Sequence, residues 1–569
     1  MDPAMLTPVE DVSKKILSKQ IDKQDAMRLF RSLDKASQLQ VLEIVRRADG
    51  TAPALDGKRA TRPLKALAQG ELTDEHRVWI AALVETYERF VPNSRAHALE
   101  QKAHVVDPRR AAHPIRDLKP LQFQIAWTLA EGAYVHDADG NRYIDISGDI
   151  GANLFGHRPS FLIDALRQSL DQGIPSVGHS ETIARACALF CGITGHERAL
   201  FTHSGADALL SAVRIARAAT GRRKLVVFAD NGVSTTAGML QDFADPLIVL
   251  DDADTASLDT IEQRAGEIAG VLIEPSRSGQ AGKPSAEFLK ALRQLTIEKS
   301  IALIFDETIA GFRVCTKGRA DLRPDMAAYG EIVGGGLPTG VIAGAAKYMD
   351  LIDGGAWRSG DDSEPGAKRT GMAGTHSQNP LNIAAALAVL GEIEKRGCDG
   401  VQACGSGTCF QCSLSEKTAR LADTLNAFFA EERLPVAIDA FGSFFRVRFV
   451  DSDRAVTEAL FFTLLRMEGV ETHFQRDCFL STAHTDEDIA TVIAGVKASL
   501  SNLKRSGFFR ERAEDATQDA AVQVVAPLPA ATAFAPPPQS GNATRRNEME
   551  RLKALLAADL ALAEESGNY

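Results

Sequence analysis

Two carboxylates in this sequence stand where acid–base chemistry is plausible on chemical grounds. Asp306 directly follows the apolar run 301–305, and the carboxyl end of a strand in a parallel sheet is where such sheets hold ligands. Glu331 precedes the glycines at 334–336. Carboxyl groups whose pKa values are separated by burial can divide the acid and base roles of a reaction. The structural alternatives are a capping role for Asp306 and a salt bridge between Glu331 and a nearby arginine.

A third candidate feature is the start of a helical run. Ser204 and Gly205 come before an apolar-periodic stretch at 208–218. The free backbone N–H groups and the dipole at such a helix start favour an anion. Such a helix start is suited to a phosphate.

Half of the eight cysteines lie close together. They are Cys398, Cys404, Cys409 and Cys412. Only the last two have the two-residue spacing usual for zinc, so our interpretation favours a glycine-rich surface loop with reduced thiols over a metal site.

The elements that must position these residues alternate in type. Short apolar β runs separated by helical runs between 160 and 350 predict a mostly parallel sheet covered on both faces. The runs are 225–228, 247–250, 270–273 and 301–305. Residues 134–146 predict a hairpin around an Asp/Gly/Asn turn, and 444–449 predict a further strand.

The two ends of the chain differ from its middle. Helical spacing of apolar residues predicts helices before residue 95, including one from Trp79 to Phe90. An Ala/Pro-rich linker at 511–543 precedes an amphipathic helix at 544–569, which needs a partner or an oligomer to cover its apolar face. The expected divisions are 1–95 (helical extension), 96–165 (first part of a small domain), 166–350 (large domain), 351–510 (second part, with the small domain), 511–543 and 544–569.

Composition excludes several classes of function. Net charge is −11 and the basic residues are scattered, which argues against a nucleic-acid partner. The sequence has no apolar run near the roughly 20 residues of a membrane-spanning helix, and its first residues do not resemble a signal peptide. We expect a cytoplasmic protein.

Five ordered segments carry a resemblance to a known family. They are 151–157 (GANLFGH), 201–205 (FTHSG), 304–307 (IFDE), 334–338 (GGGLP) and Gly374-Thr375 with Asn379-Pro380. Together they resemble successive landmarks of the class III aminotransferases, which use pyridoxal 5′-phosphate (PLP). Narrower segments at 357–363 and 478–489 look like the aminotransferase domains of mixed polyketide and peptide synthases, relatives of glutamate-1-semialdehyde aminomutase, whose substrate is a β-ketoacyl chain on a carrier protein.

The resemblance implies an α/β fold of fold type I, with a large, mostly parallel αβα domain and a small α+β domain. It implies a homodimer and a carrier-protein partner. In the family, the residue matching Asp306 pairs with the pyridine nitrogen of PLP, and those matching Ser204 and Gly205 hold its phosphate. Thr375 would add a hydroxyl from the neighbouring subunit.

Departures from the family pattern fall around the cofactor. Glu331 stands where the family has the lysine that forms the Schiff base, and a carboxylate cannot replace that amine. Ala206 replaces a phosphate-binding threonine, and the stretch after Phe228 lacks the ring-stacking aromatic residue. We therefore predict that no covalent Schiff base with PLP forms.

The favoured hypothesis is PLP-independent acid–base chemistry on a carrier-bound acyl chain. Family geometry would bring four candidate catalytic residues to one cavity: Glu331, Asp306, His203 and His376. One alternative is a noncatalytic scaffold that docks through 544–569. Another is a PLP-dependent aminotransferase acting on a β-ketoacyl thioester, with the cofactor bound noncovalently and an external amine doing the lysine's work.

Overall fold

The structure is a computed structural model. It describes residues 72–106, 115–173, 181–228, 247–250, 253–275, 285–314, 322–366, 368–372, 376–398, 409–450, 455–473 and 477–509. The helices predicted before residue 72, the linker and the terminal amphipathic helix lie outside these residues.

Twelve α-helices fall within the described residues. They are α1 (Asp74–Phe90), α2 (Pro92–Gln101), α3 (Ser160–Asp171), α4 (Glu181–Thr194), α5 (Gly205–Thr220), α6 (Thr255–Gln263), α7 (Ala286–Glu298), α8 (Ala346–Asp353), α9 (Pro380–Arg396), α10 (Phe410–Glu431), α11 (Ala455–Met467) and α12 (Asp486–Arg505). The predicted helix from Trp79 to Phe90 is confirmed as the larger part of α1.

The same residues contain fourteen strands. They are β1 (Trp127–Glu131), β2 (Tyr134–Asp137), β3 (Arg142–Asp145), β4 (Arg198–Thr202), β5 (Lys224–Phe228), β6 (Leu247–Leu250), β7 (Ile268–Ile273), β8 (Ala302–Glu307), β9 (Met326–Tyr329), β10 (Gly340–Gly344), β11 (Val436–Phe441), β12 (Phe444–Phe449), β13 (Val470–Glu471) and β14 (Cys478–Phe479). The predicted hairpin is confirmed as β2 and β3, which pair antiparallel, and the strand predicted at 444–449 is β12.

A seven-stranded sheet forms the centre, in the order β4-β10-β9-β8-β7-β5-β6. Strands β6, β5, β7, β8 and β9 pair in parallel, whereas β10 runs antiparallel to both of its neighbours. The mostly parallel sheet predicted from the apolar runs is therefore confirmed.

Both faces of this sheet are buried, which explains its continuous apolar runs. Along β5, Leu225 and Val227 belong to the cluster built on the apolar stripe of α5, while Val226 between them belongs to the larger core on the opposite face. The opposite face packs against α7 through Phe288 and Leu292. Alternating side chains thus join one strand to two helical layers.

Two smaller sheets complete the architecture. One has the order β1-β2-β3-β13, so a parallel pair between β3 and β13 joins segments more than 300 residues apart. The other has the order β11-β12-β14 and packs against α10. Helix α1 packs against the residues that follow α12, where Trp79 and His76 contact the ring of Phe508.

Two further properties hold for the described residues. None of their helices combines the length and the apolar character needed to cross a membrane. No group of three or more His, Cys, Asp or Glu side chains among them has a geometry that could hold a metal ion.

Candidate functional site

The candidate site lies at the carboxyl end of β8. Asp306 is only 6% exposed there. Its Oδ1 accepts hydrogen bonds from the backbone N–H of Thr308 at 3.1 Å and from the Thr308 hydroxyl at 2.6 Å. Because both donors come from the turn directly after the strand, the carboxylate is held in one orientation at the sheet edge. Sequence reasoning missed Thr308, although a threonine two residues after an aspartate at a strand end is a pattern for this turn.

Glu331 reaches the same edge through the neighbouring strand. Strands β8 and β9 pair so that Glu307 lies opposite Tyr329, and Glu331 follows two residues later. The intervening Gly330 packs directly against the backbone of Thr308, where a Cβ would collide with the Thr308 carbonyl. Close backbone contact therefore places Glu331 beside the turn that holds Asp306.

The environment of Glu331 differs from that of Asp306. Its side chain is half-buried, and no hydrogen bond or ion pair to its carboxyl group is present among the described residues. Burial raises the pKa of Glu331 above its ordinary value. In the part of the chain that the structure describes, no arginine forms the alternative salt bridge with Glu331.

The predicted helix start is confirmed. Ser204 is the N-cap of α5, and its hydroxyl oxygen accepts from the backbone N–H of Asp207 at 3.2 Å. A Cβ on Gly205 would lie 2.8 Å from Cγ2 of Thr308 and 3.1 Å from Cα of Gly330. The lack of a side chain at Gly205 allows the start of α5 to touch the turn after β8 and the segment before Glu331.

One of the two predicted histidines, His203, lies near the residue that follows the other in the chain. His203 Nε2 lies 3.5 Å from the hydroxyl of Ser377, the residue after His376. His376 itself is exposed, so its chain neighbour makes the contact with His203. Thr375, the expected hydroxyl donor to a phosphate, lies outside the described residues.

The glycine run after Glu331 is fixed by close packing. Gly336 has φ of 101°, and a Cβ there would lie 2.7 Å from Oδ1 of Asn153. The side chain of Asn382, in α9, donates to the carbonyl of Pro338 at 2.7 Å. Two of the segments that carry the family resemblance, 151–157 and 334–338, are therefore in contact.

A cluster of packed aromatic side chains lies beside the segment that leads to Glu331. The sequence analysis did not identify this cluster. Tyr329 is buried, with its ring centroid 5.4 Å from that of Phe312 and 5.0 Å from that of Phe190. Burial, with the nearby Glu307 carboxylate, raises the pKa of Tyr329 well above its ordinary value, so its hydroxyl stays protonated. That hydroxyl lies 3.2 Å from Nε2 of His196.

A second polar cluster lies on the small-domain side. His157 Nε2 contacts Asp145 Oδ2 at 2.7 Å, and Asp145 also accepts from the hydroxyl of Ser147 at 2.6 Å. Burial opposes ionisation of both groups, but their mutual interaction outweighs it and raises the pKa of His157 while it lowers that of Asp145. The two residues thus form a buried ion pair. Their separation in the sequence gave no signal of this contact.

The chemical capacity of the site follows from the contrast between its two carboxyl groups. Asp306 has fixed donors, whereas Glu331 has no described partner and gains protons more easily than an exposed glutamate. Two carboxyl groups in such different surroundings can serve as a fixed acceptor and a proton carrier.

Comparisons with known proteins agree with this geometry. The family model for class-III aminotransferases matches residues 117–242 and 243–518. Glutamate-1-semialdehyde 2,1-aminomutase from Deinococcus radiodurans is 31% identical over 462 residues, which cover 73% of this chain and 98% of that protein. The same enzyme from Laribacter hongkongensis is 32% identical over 410 residues, covering 65% and 90% of the two chains.

Solved structures show the same architecture. A β-phenylalanine aminotransferase from Variovorax paradoxus superposes with a TM-score of 0.61 and 27% identity, covering 74% of this chain and 98% of its own. An omega-transaminase from Sphaerobacter thermophilus gives a TM-score of 0.60 at 22% identity, covering 73% and 98%. The predicted fold type I of PLP-dependent transferases is confirmed.

Proposed function

The chain belongs to the class-III aminotransferases, and we propose that it works without a covalently bound PLP, transferring protons through Glu331 on an acyl chain presented by a carrier protein. One observation carries the proposal: the half-buried carboxyl group of Glu331 has a raised pKa and no described partner. A carboxyl group that ionises closer to neutral pH is suited to both giving and taking a proton.

The residues present fit PLP only in part. The buried carboxylate of Asp306 suits a protonated ring nitrogen, and the N-terminus of α5 at Ser204 and Gly205 suits a phosphate. When bound, PLP supplies an electron sink. The carboxyl group of Glu331 does not fit the covalent attachment, since it has no amine to form an imine. The proposed reaction therefore does not use the cofactor.

The proposed reaction class is proton abstraction next to a carbonyl group. A β-ketoacyl thioester has acidic hydrogens on the carbon between its two carbonyls. As a carboxylate, Glu331 takes one of these protons, and as a carboxylic acid it returns the proton to the same carbon or to the oxygen. Backbone N–H groups at the start of α5 are available to stabilise the negative charge that develops on oxygen.

Asp306 has a different role in this proposal. Thr308 fixes its orientation with two hydrogen bonds, so Asp306 acts as a stationary hydrogen-bond acceptor for the substrate. His203, whose ring lies near Ser377, is a further polar group on the side of α5. The carrier protein, the homodimer and a polyketide or peptide pathway remain parts of the proposal that rest on the sequence resemblance.

The test is hydrogen exchange at the substrate carbon. Acetoacetyl-N-acetylcysteamine serves as the probe, and mass spectrometry follows deuterium uptake from heavy water against an enzyme-free control. The wild-type protein should accelerate the exchange, and Glu331→Gln should reduce the acceleration by about 10²- to 10⁴-fold, the usual contribution of a positioned proton-transfer group. Glu364→Gln, at an exposed glutamate, is the matched control.

Two results would contradict the proposal. Equal exchange by the wild-type and Glu331→Gln proteins would remove Glu331 from the chemistry and favour a scaffold. A pyridoxyl adduct on a lysine after incubation with PLP and reduction with borohydride would instead restore the ordinary transaminase alternative.

A further inference from the structure

Two cysteines at the start of α10 have their sulfur atoms in contact. Cys409 is the N-cap of the helix, with φ of −93° and ψ of 156°, and Cys412 lies in its first turn. The two Sγ atoms are 3.1 Å apart, and the Cys409 sulfur also accepts from the backbone N–H of Cys412 at 3.3 Å. A disulfide has an S–S distance of about 2.05 Å, so only a shift of about 1 Å separates this pair from the bonded state.

Exposure differs between the two thiols. Cys409 is 8% exposed, whereas Cys412 is half-buried and is the sulfur that a reagent in solvent meets first. Cys398 packs in the same small cluster and supplies a further apolar neighbour. The Cys-Phe-Gln-Cys spacing at a helix N-terminus is the arrangement in which proteins place exchangeable dithiols.

We propose that Cys409 and Cys412 are a reversible dithiol–disulfide pair that exchanges with low-molecular-weight disulfides. Neither the proton-transfer proposal nor family membership assigns a role to these thiols. The proposal is based on the distance between the sulfur atoms, the position at the helix start and the exposure of one partner.

The exchange proceeds in two balanced steps. The thiolate of Cys412 attacks a small disulfide, forms a mixed disulfide and releases one small thiolate. The thiolate of Cys409 then attacks the Cys412 sulfur, closing the Cys409–Cys412 bond and releasing the second small thiolate. The two protein thiols lose two protons and two electrons in total, and the small disulfide is reduced to two thiols.

The pair is connected to the candidate site through Gln411, one of the two residues between its members. Gln411 is fully buried, and its side chain accepts from the backbone N–H of Cys398 at 3.2 Å and donates to the carbonyl of Phe312 at 3.4 Å. Phe312 packs on Tyr329, which leads directly into Gly330 and Glu331. Closing the disulfide moves the first turn of α10, so its effect reaches the turn that contains Phe312.

The experiment uses the full chain, reduced and then equilibrated with mixtures of reduced and oxidised glutathione. Free thiols are alkylated after an acid quench, and peptides are identified by mass spectrometry. A tryptic peptide of residues 397–417 contains all four clustered cysteines. Chymotryptic cleavage after Phe410 separates Cys409 from Cys412, so a disulfide between them leaves two peptides joined.

We expect the joined peptides to appear as the fraction of oxidised glutathione rises and to separate again with dithiothreitol. Cys409→Ser and Cys412→Ser should each abolish them. The double variant Cys187→Ser/Cys191→Ser, at two half-buried thiols one turn apart in α4, should leave them unchanged. A second readout is amide exchange at residues 309–314, which should differ between the oxidised and reduced wild type but not in Cys412→Ser treated alike.

Several outcomes would overturn the proposal. These are the absence of joined peptides at every glutathione ratio, a stable glutathione adduct on Cys412 in the wild type, and preferred pairing of either cysteine with Cys398 or Cys404. Unchanged exchange at 309–314 on oxidation would overturn the link to the candidate site while leaving the disulfide itself established.

Discussion

Replacing Thr308 by valine tests whether its hydroxyl fixes Asp306 at the sheet edge. Valine keeps the size of the side chain and the Cγ2 methyl group that faces Gly205, so the change removes only the 2.6 Å hydrogen bond to Oδ1 of Asp306. The backbone N–H of Thr308 still donates at 3.1 Å, so the carboxylate loses one of the two donors that this turn supplies. A hydrogen bond to an ionised group contributes about 1.5–3 kcal/mol, and we expect Thr308→Val to lower the free energy of unfolding by that amount.

The assay is urea denaturation followed by circular dichroism, in which the midpoint should fall with an unchanged slope. Thr308→Ser is the matched control, because it keeps the hydroxyl and loses only the methyl group. A double-mutant cycle with Asp306→Ala isolates the pair, and Thr308→Val should cost less than about 0.5 kcal/mol once the carboxylate is absent. If Thr308→Val is equally harmful with and without Asp306, the hydroxyl does not act through the carboxylate and the reasoning fails.

Three further predictions concern protonation and backbone geometry. Because burial raises the pKa of Glu331, the folded state binds its proton more tightly. Stability should therefore fall as pH rises from the unfolded value near 4.5 through the folded pKa, and urea titrations of Glu331→Gln should lack this loss. His157 also has a raised pKa despite its burial, owing to Asp145, so its ion pair should stabilise the fold fully below about pH 6.5. This stabilisation should disappear as pH rises through the folded pKa, and stability curves of His157→Gln should not show the change. Gly336→Ala should destabilise the fold by about 1–3 kcal/mol in urea melts, because φ is 101° and the new Cβ would meet Asn153. The control Gly391→Ala, in α9 with open space around it, should be neutral or stabilising by up to about 1 kcal/mol.

The apolar pattern predicted the strands that are buried on both faces of the sheet. It did not predict the residue at which each strand ends. The run at 301–305 predicted β8, yet the strand continues through Asp306 and Glu307 because these residues pair with Ala328 and Tyr329. Polar side chains at the end of a strand give no hydrophobic signal. For this reason the apolar pattern did not show that Asp306 and Glu307 belong to β8.

Strands β9 and β10 show a second reason for missed structure. Both contain small residues of low strand propensity, and neither was among the predicted β runs. Gly340, the first residue of β10, allows close approach to the backbone of Ser204, where any Cβ would collide with the carbonyl. The small residues are therefore explained by tertiary contact, which a single sequence does not reveal. The start of α5 at Ser204 was predictable because a local N-cap determines it.

The difference between the two carboxyl groups is the main physical argument for chemistry at this edge. Asp306 is more deeply buried, but the turn at Thr308 supplies two donors that offset the loss of water. Glu331 is less buried and has no described donor, so its ionised form remains poorly solvated. A partly desolvated carboxylate without a partner costs free energy, and a glutamine of the same shape would avoid that cost. This unfavourable free energy of the ionised form is what raises the pKa of Glu331. In the proposed function, the raised pKa allows Glu331 to exchange a proton with a bound substrate.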